Sequence, residues 1–133
     1  MIVVDENIHD QRIMQAISAW YPGQVASVTT LRPKTVIKDE AIPTLLLQVA
    51  QPTFVTINVS DFWTRVQPHS AYCVVAAVLP KERIHEVSGL LRRLFRHSHF
   101  KTKASRMGKV VRLTRNRIEY YEFDKHVHSL SLT

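Results

Sequence analysis

Short unbroken apolar runs alternate along this chain with segments whose apolar residues recur at helical spacing, and that alternation restricts the fold more than any other feature. Ile2, Val3 and Val4 form the first run and empty at once into Asp5, Glu6 and Asn7. Ile13, Met14, Ile17 and Trp20 then follow helical spacing, and Pro22-Gly23 ends that helix. Residues 25–29 read as a second strand, 32–38 as a loop, and Ile42, Leu45, Leu46 and Val49 as a second helical stripe. Pro43 fits only a first helical turn, so this helix is expected to begin near Asp39 or Glu40, with a carboxylate at its positive end. Residues 53–57 are a third strand and 72–79 a long fourth one. Ile84, Val87, Leu90, Leu91, Leu94 and Phe95 line a helix whose other side carries Arg92, Arg93 and Arg96. Residues 109–113 and 117–123 read as a hairpin around Thr114, Arg115 and Asn116, followed by a short tail. Strands alternating with helices imply an α/β fold with a largely parallel sheet.

At 133 residues the chain is the size of one domain. No apolar run approaches the roughly 20 residues of a membrane helix, so no membrane partner is expected. The opening MIVVDENIHD has early acids and no basic stretch, unlike a secretory signal. A single cysteine, Cys73, allows neither an internal disulfide nor a cysteine zinc site, so a cytoplasmic location is expected. With three glycines there is no Walker or dinucleotide fingerprint. The net charge of +7 is unevenly placed: residues 1–80 hold five basic against six acidic residues, and 81–133 hold thirteen against five. This divides the single expected domain, 1–133, into a core carrying the acids (1–80) and a basic helix and hairpin (81–133). Between Arg92 and Arg117 there are ten basic residues and no acid, the footprint of a phosphate-rich partner such as RNA, or of an acidic protein segment.

Open parallel sheets bind ligands beyond the carboxyl ends of their strands. Asp5 and Asp61 follow the first and third strands, and Asp39 starts the helix between them, so three carboxylates could meet in one cleft. Mg²⁺ or Mn²⁺ favours such an oxygen-only site and can activate water for displacement at phosphorus. Without a cation, clustered carboxylates raise one another's pKa. The plainer alternative is that each aspartate caps a helix or shapes a turn.

IVVDEN, KDEAI and above all Thr56-Ile57-Asn58-Val59-Ser60-Asp61-Phe62 resemble PIN and PIN-like domains, the nuclease fold of VapC-type toxins, and in particular their shorter PIN-like branch. The likeness runs over about residues 1–80, and TINVSDF matches the T-x-N-x-x-D-F pattern at every fixed position. It implies a three-layer α/β sandwich with a mainly parallel sheet and a C-terminal β-hairpin. It also implies a metal-dependent ribonuclease that acts as the toxin of a toxin–antitoxin pair, inhibited by a cognate antitoxin protein covering the acidic cleft. On that resemblance Asp5, Asp39 and Asp61 hold Mg²⁺ or Mn²⁺, Thr56 and Asn58 orient groups near the metal, and Glu6 or Glu40 can substitute for a neighbouring acid. Many members carry a fourth acid, and several have Asp where this chain has Asn58; that departure favours the alternative of a non-catalytic PIN-like module that binds nucleic acid or a partner. A DNA-directed nuclease and a homodimer are both compatible with the sequence.

Arg92, Arg93, Arg96, Lys101, Lys103 and Arg106 are the expected RNA-backbone contacts. Trp63, Tyr120 and Tyr121 could stack on bases, although hairpin packing explains the tyrosines equally well. The pairs His97/His99 and His126/His128 lack a third metal ligand nearby, and Cys73, Trp20, Phe54 and Phe62 read as core.

Overall fold

In the computed structural model, which describes residues 1–32 and 38–132, seven strands form one sheet in the order β2-β1-β3-β4-β5-β6-β7. They are β1 (Ile2–Val4), β2 (Val25–Ser27), β3 (Thr53–Thr56), β4 (Cys73–Ala77), β5 (Val110–Leu113), β6 (Arg117–Tyr121) and β7 (His128–Ser131). β2, β1, β3, β4 and β5 run parallel, whereas β6 and β7 continue the sheet antiparallel. The fold is α/β with a mostly parallel sheet.

The central strands β1, β3 and β4 are buried throughout because helices cover both of their faces. On one side Ile2, Val4, Val55, Val75 and Val111 pack against α1 (Gln11–Ser18) and α5 (Val87–Arg96) through Ile13, Ile17, Leu91 and Leu94. On the other, Val3, Phe54, Val74 and Val110 meet the short helices α2 (Val28–Leu31), α3 (Ile42–Leu46) and α4 (Val59–Phe62) through Val28, Leu46 and Phe62. Strand alternation decides which residues face which layer: odd and even neighbours in β1 divide cleanly between the two cores. None of the helices among the described residues is long and apolar enough to cross a membrane.

Several expectations change in detail. Val28 and Thr29 are helical rather than part of β2, because the Ser27 hydroxyl accepts from the Thr30 amide at 3.1 Å and caps α2. The helix near Asp39 begins as a 3-10 turn, Asp39–Ala41, and Pro43 sits in the opening turn of α3, where its missing N–H costs nothing. The supposed tail contains β7, whose Leu130 lies opposite Ile118 and joins the α5-side core. A further short helix, α6 (Lys103–Arg106), is closed by a reciprocal Thr102–Ser105 capping box. The expected loop over 32–38 lies mostly outside the described residues, with only Arg32 and Lys38 described.

Candidate functional site

The order β2-β1-β3 reverses direction at β1, so a crevice opens beyond the carboxyl ends of β1 and β3. Val4 is level with Val55, which sets Asp5 beside Thr56. Asp5 is 4% exposed, and both of its oxygens are engaged. Oδ1 accepts from the Glu6 amide at 2.8 Å, capping the 3-10 turn Glu6–Ile8, and Oδ2 accepts from the Thr56 hydroxyl at 2.7 Å. That hydroxyl, fully buried, also accepts from the Asn58 amide at 3.0 Å and from Asn7 Nδ2 at 3.3 Å.

Asn58 carries the network to the other two acids. Its Nδ2 donates to Asp39 Oδ2 at 3.0 Å and to Asp61 Oδ2 at 2.7 Å. Asp61 stands in the first turn of α4 and Asp39 in the 3-10 turn that leads into α3, so each short element delivers one carboxylate to the same amide. One chain of hydrogen bonds thus joins Asp5, Thr56, Asn58, Asp39 and Asp61. These are all five of the acidic, Thr and Asn residues expected to form the site.

The electrostatics follow from that crowding. Asp39 has its pKa pushed up to about 6, first by burial, then by the hydrogen bond it shares with Asp61 and by the charges of Asp5, Asp61 and Glu40. Asp61 is held below the usual carboxylate range because Asn58 and then Asp39 donate to its ionised form. The two therefore titrate as a pair with one shared proton. Burial also raises Asp5, against the opposing hydrogen bonds from Thr56 and the Glu6 amide.

Two residues at the site were not singled out from sequence. Thr56 has one hydroxyl hydrogen and gives it to Asp5, so Asn7 must present its amide nitrogen, which leaves Asn7 Oδ1 buried without a partner. Arg65 lines a cleft of about 460 Å³ with Asp39, Glu40 and Asp61, and its charge helps to lower Asp61. The only sequence trace of Arg65 is its place four residues after Asp61. Thr64, just before it, adopts φ +65°, a left-handed backbone that a β-branched residue rarely takes.

The donor set suits a hard cation: crowded carboxylate oxygens, with Asp39 keeping its proton up to about pH 6 through burial and the neighbouring acids, and an unpartnered amide oxygen on Asn7. Among the described residues no group of three His, Cys, Asp or Glu side chains is arranged to hold an ion. A cation held by Asp39 and Asp61, which Asn58 brings together, would complete its shell with water and phosphate, the usual manner of Mg²⁺.

The expected RNA contacts lie elsewhere. Arg92, Arg93 and Arg96 are exposed on α5, and Lys101 and Lys103 are exposed after it. Arg106, expected on the surface, is 6% exposed, because its guanidinium stacks over Phe95 and its Nη1 donates to the Phe100 and Lys101 carbonyls. α5 returns toward the start of β5, so its arginines approach the amino ends of the strands, away from the acids. Tyr120 and Tyr121 are buried, and the Tyr121 hydroxyl donates to the Val66 carbonyl at 2.7 Å, so packing rather than base stacking explains them. Trp63 is half-buried, with its ring 5.2 Å from that of Tyr121. Cys73 is buried, which pushes its thiol up to about 12 and leaves it unreactive. Neither histidine pair belongs to a metal-binding group among the described residues.

Thr56→Val tests the network at its hub. It removes the donor to Asp5 and the acceptor for two amides, so a loss of about 1–3 kcal/mol is expected in urea unfolding. Thr56→Ser, which keeps the hydroxyl, should recover most of it. An equal loss in both would show that the methyl packing matters and the hydrogen bonds do not.

Comparison with protein families, with curated proteins and with solved structures returns no match to this chain.

Proposed function

We propose that this chain is a PIN-like, metal-dependent ribonuclease that acts as the toxin of a toxin–antitoxin pair. The observation that supports the reading is the pairing of Asp39 and Asp61 on one amide of Asn58, with Asp5 locked beside them through Thr56. Mg²⁺ or Mn²⁺, when bound, supplies charge for the scissile phosphate and acidifies an attacking water. Asp39 and Asp61 would hold the ion. Without an ion Asp39 titrates near 6, so above that pH its carboxylate is free to take a cation in place of the proton. Arg65 faces the same cleft and offsets the phosphate charge. Asn58 and Thr56 keep the carboxylates in place and touch no substrate in this scheme. An antitoxin would inhibit by setting a lysine or arginine against the unsatisfied acids.

A non-catalytic PIN-like binding module is the second reading, favoured by Asn58, whose neutral amide stands between Asp39 and Asp61 where a further acid would add a ligand. Incubation of the protein with labelled single-stranded RNA and either Mn²⁺ or Mg²⁺ separates the two. Cleavage that stops with EDTA is expected. Binding without cleavage of any RNA or DNA would favour the module, and cleavage that survives EDTA would sink the metal-dependent scheme.

A further inference from the structure

A second cleft, of about 300 Å³, lies at the opposite edge of the sheet from the acids. Its place follows from backbone bonds: the Gly108 amide donates to the Tyr72 carbonyl and the Lys109 amide to the Arg106 carbonyl, so Arg106 stands at the amino ends of β4 and β5. Arg92, Arg96, Lys101 and Arg106 line this cleft. Among the described residues no carboxylate lines it, and none of these four cations has an ion-pair partner.

Arg106 is the most telling of them. Its guanidinium carbon lies 3.9 Å from the centre of the Phe95 ring, and the side chain is nine-tenths buried. Nη1 donates to the Phe100 carbonyl at 2.9 Å and the Lys101 carbonyl at 3.3 Å, while Nε is buried with no partner. A buried guanidinium without a counter-charge is costly, and an anion in the cleft would supply that charge. The remaining wall is aromatic. Trp20, Tyr21 and Phe95 meet edge to face, with ring centres 5.6 to 6.1 Å apart. Trp20 is fixed by its indole N–H, which donates to the Ser88 hydroxyl at 3.0 Å, and both Trp20 and Tyr21 are only half-buried.

Four cations beside rigid, part-exposed rings suit a ligand with a phosphate and a flat π-face. The volume is at the lower end for small-ligand sites, enough for one nucleotide and too little for a duplex. We propose that this cleft binds a single 5′-phosphorylated nucleoside, its phosphate among Arg96, Lys101 and Arg106 and its base on the Trp20–Tyr21 wall. The ligand is either a free nucleotide or the phosphorylated end of an RNA strand. No residue is shared with the acidic cleft, so the proposal stands whether or not the chain is a nuclease.

Calorimetric titration with ADP and with pyrophosphate at low salt provides the test. ADP is expected to bind about tenfold more tightly than pyrophosphate, the advantage of one stacked base. Tyr21→Ala should abolish that advantage, while Arg96→Ala and Lys101→Ala, both at exposed positions, should weaken both ligands. Arg106 is left intact because it ties two carbonyls, and thermal unfolding of each variant checks that the fold survives. Asp61→Asn should bind ADP as the wild type does, which separates this site from the acidic one. A 5′-phosphorylated oligoribonucleotide that competes with ADP, beside a 5′-hydroxyl one that does not, would identify a strand end as the ligand. Failure of both oligonucleotides to compete with ADP would identify the free nucleotide, and equal competition by both would show that the cleft does not read a terminal phosphate and would overturn the proposal. Absence of ADP binding, equal affinity for pyrophosphate, or ADP affinity unchanged in Arg96→Ala and Lys101→Ala would each overturn the proposal.

Discussion

Asp39→Asn and Asp61→Asn should each lower RNA cleavage by about 10²–10⁴-fold, the usual loss when a positioned proton acceptor or metal carboxylate is removed. RNA binding should be unchanged or slightly tighter, because each substitution takes one negative charge from the path of the phosphate. The two should differ in pH dependence. Without an ion Asp39 titrates near 6, so proton and cation compete for it, and at limiting Mn²⁺ the wild-type rate should rise between about pH 5 and 7, a rise that should vanish in Asp39→Asn. Asp61→Asn should lose cation affinity, and part of its rate should return at high Mn²⁺. Asp5→Asn is also expected to abolish cleavage, by removing the charge that Thr56 and the Glu6 amide hold beside the pair. Single-turnover cleavage measured from pH 5 to 8, with filter binding in parallel, reads all of these. Wild-type rates in either Asp39→Asn or Asp61→Asn would remove the acidic cleft from the chemistry.

The acids of this site were legible because strand ends are legible. Ile2, Val3 and Val4 stop being apolar where β1 stops, and Thr56 is the last residue of β3, so the polar residues that follow fall at the sheet edge by construction. What the sequence does not display is who touches whom. That Asn58 would bridge two carboxylates depends on α3 and α4 arriving side by side, which is a matter of packing under Leu46 and Phe62 rather than of spacing. Asn7 and Arg65 were hidden for the same reason. Arg106 shows the opposite error: ten bases without an acid read as the footprint of a phosphate-rich partner, yet this one folds inward because Phe95 and two carbonyls give its guanidinium a place. β7 escaped notice because its four residues, His128–Ser131, hold one strongly apolar side chain. Its strand character comes from pairing with β6, and β-propensity is context of that kind.

Stability should fall as pH rises from about 4 to 6.5, and a divalent cation should reverse the fall. Asp39 is neutral in the folded protein up to about pH 6, but ionises near its ordinary value when unfolded. Between those values the folded state binds more protons, so the stability that the group contributes is complete below about pH 4 and is lost as pH passes through 6. Asp5, raised by burial, acts in the same direction. Asp61, held low, acts oppositely and only below its ordinary pKa, outside this window. Other carboxylates titrate too, so the informative quantity is the difference between wild type and Asp39→Asn. That variant keeps an oxygen to accept from Asn58 and an amide to donate to Asp61, and it removes the titration. At pH 7.5 it should be more stable by about 1 kcal/mol once solvent screening is allowed for. In Tm this is about 3–5 °C for a domain of this size, and the gap should close below pH 4. Millimolar Mg²⁺ or Mn²⁺ should raise the wild-type Tm at pH 7.5, do nothing at pH 4 where protons occupy the pair, and do little for Asp39→Asn. Asn58→Asp sharpens the contrast. A third carboxylate in place of the bridging amide would repel Asp39 and Asp61, so the apo variant should melt well below wild type at neutral pH. The same carboxylate would be an added ligand, so its Tm should respond to Mg²⁺ more steeply than that of wild type. A wild-type Tm indifferent to both pH and cation across this range would show that Asn58 alone satisfies the pair and that the site has no call for a metal.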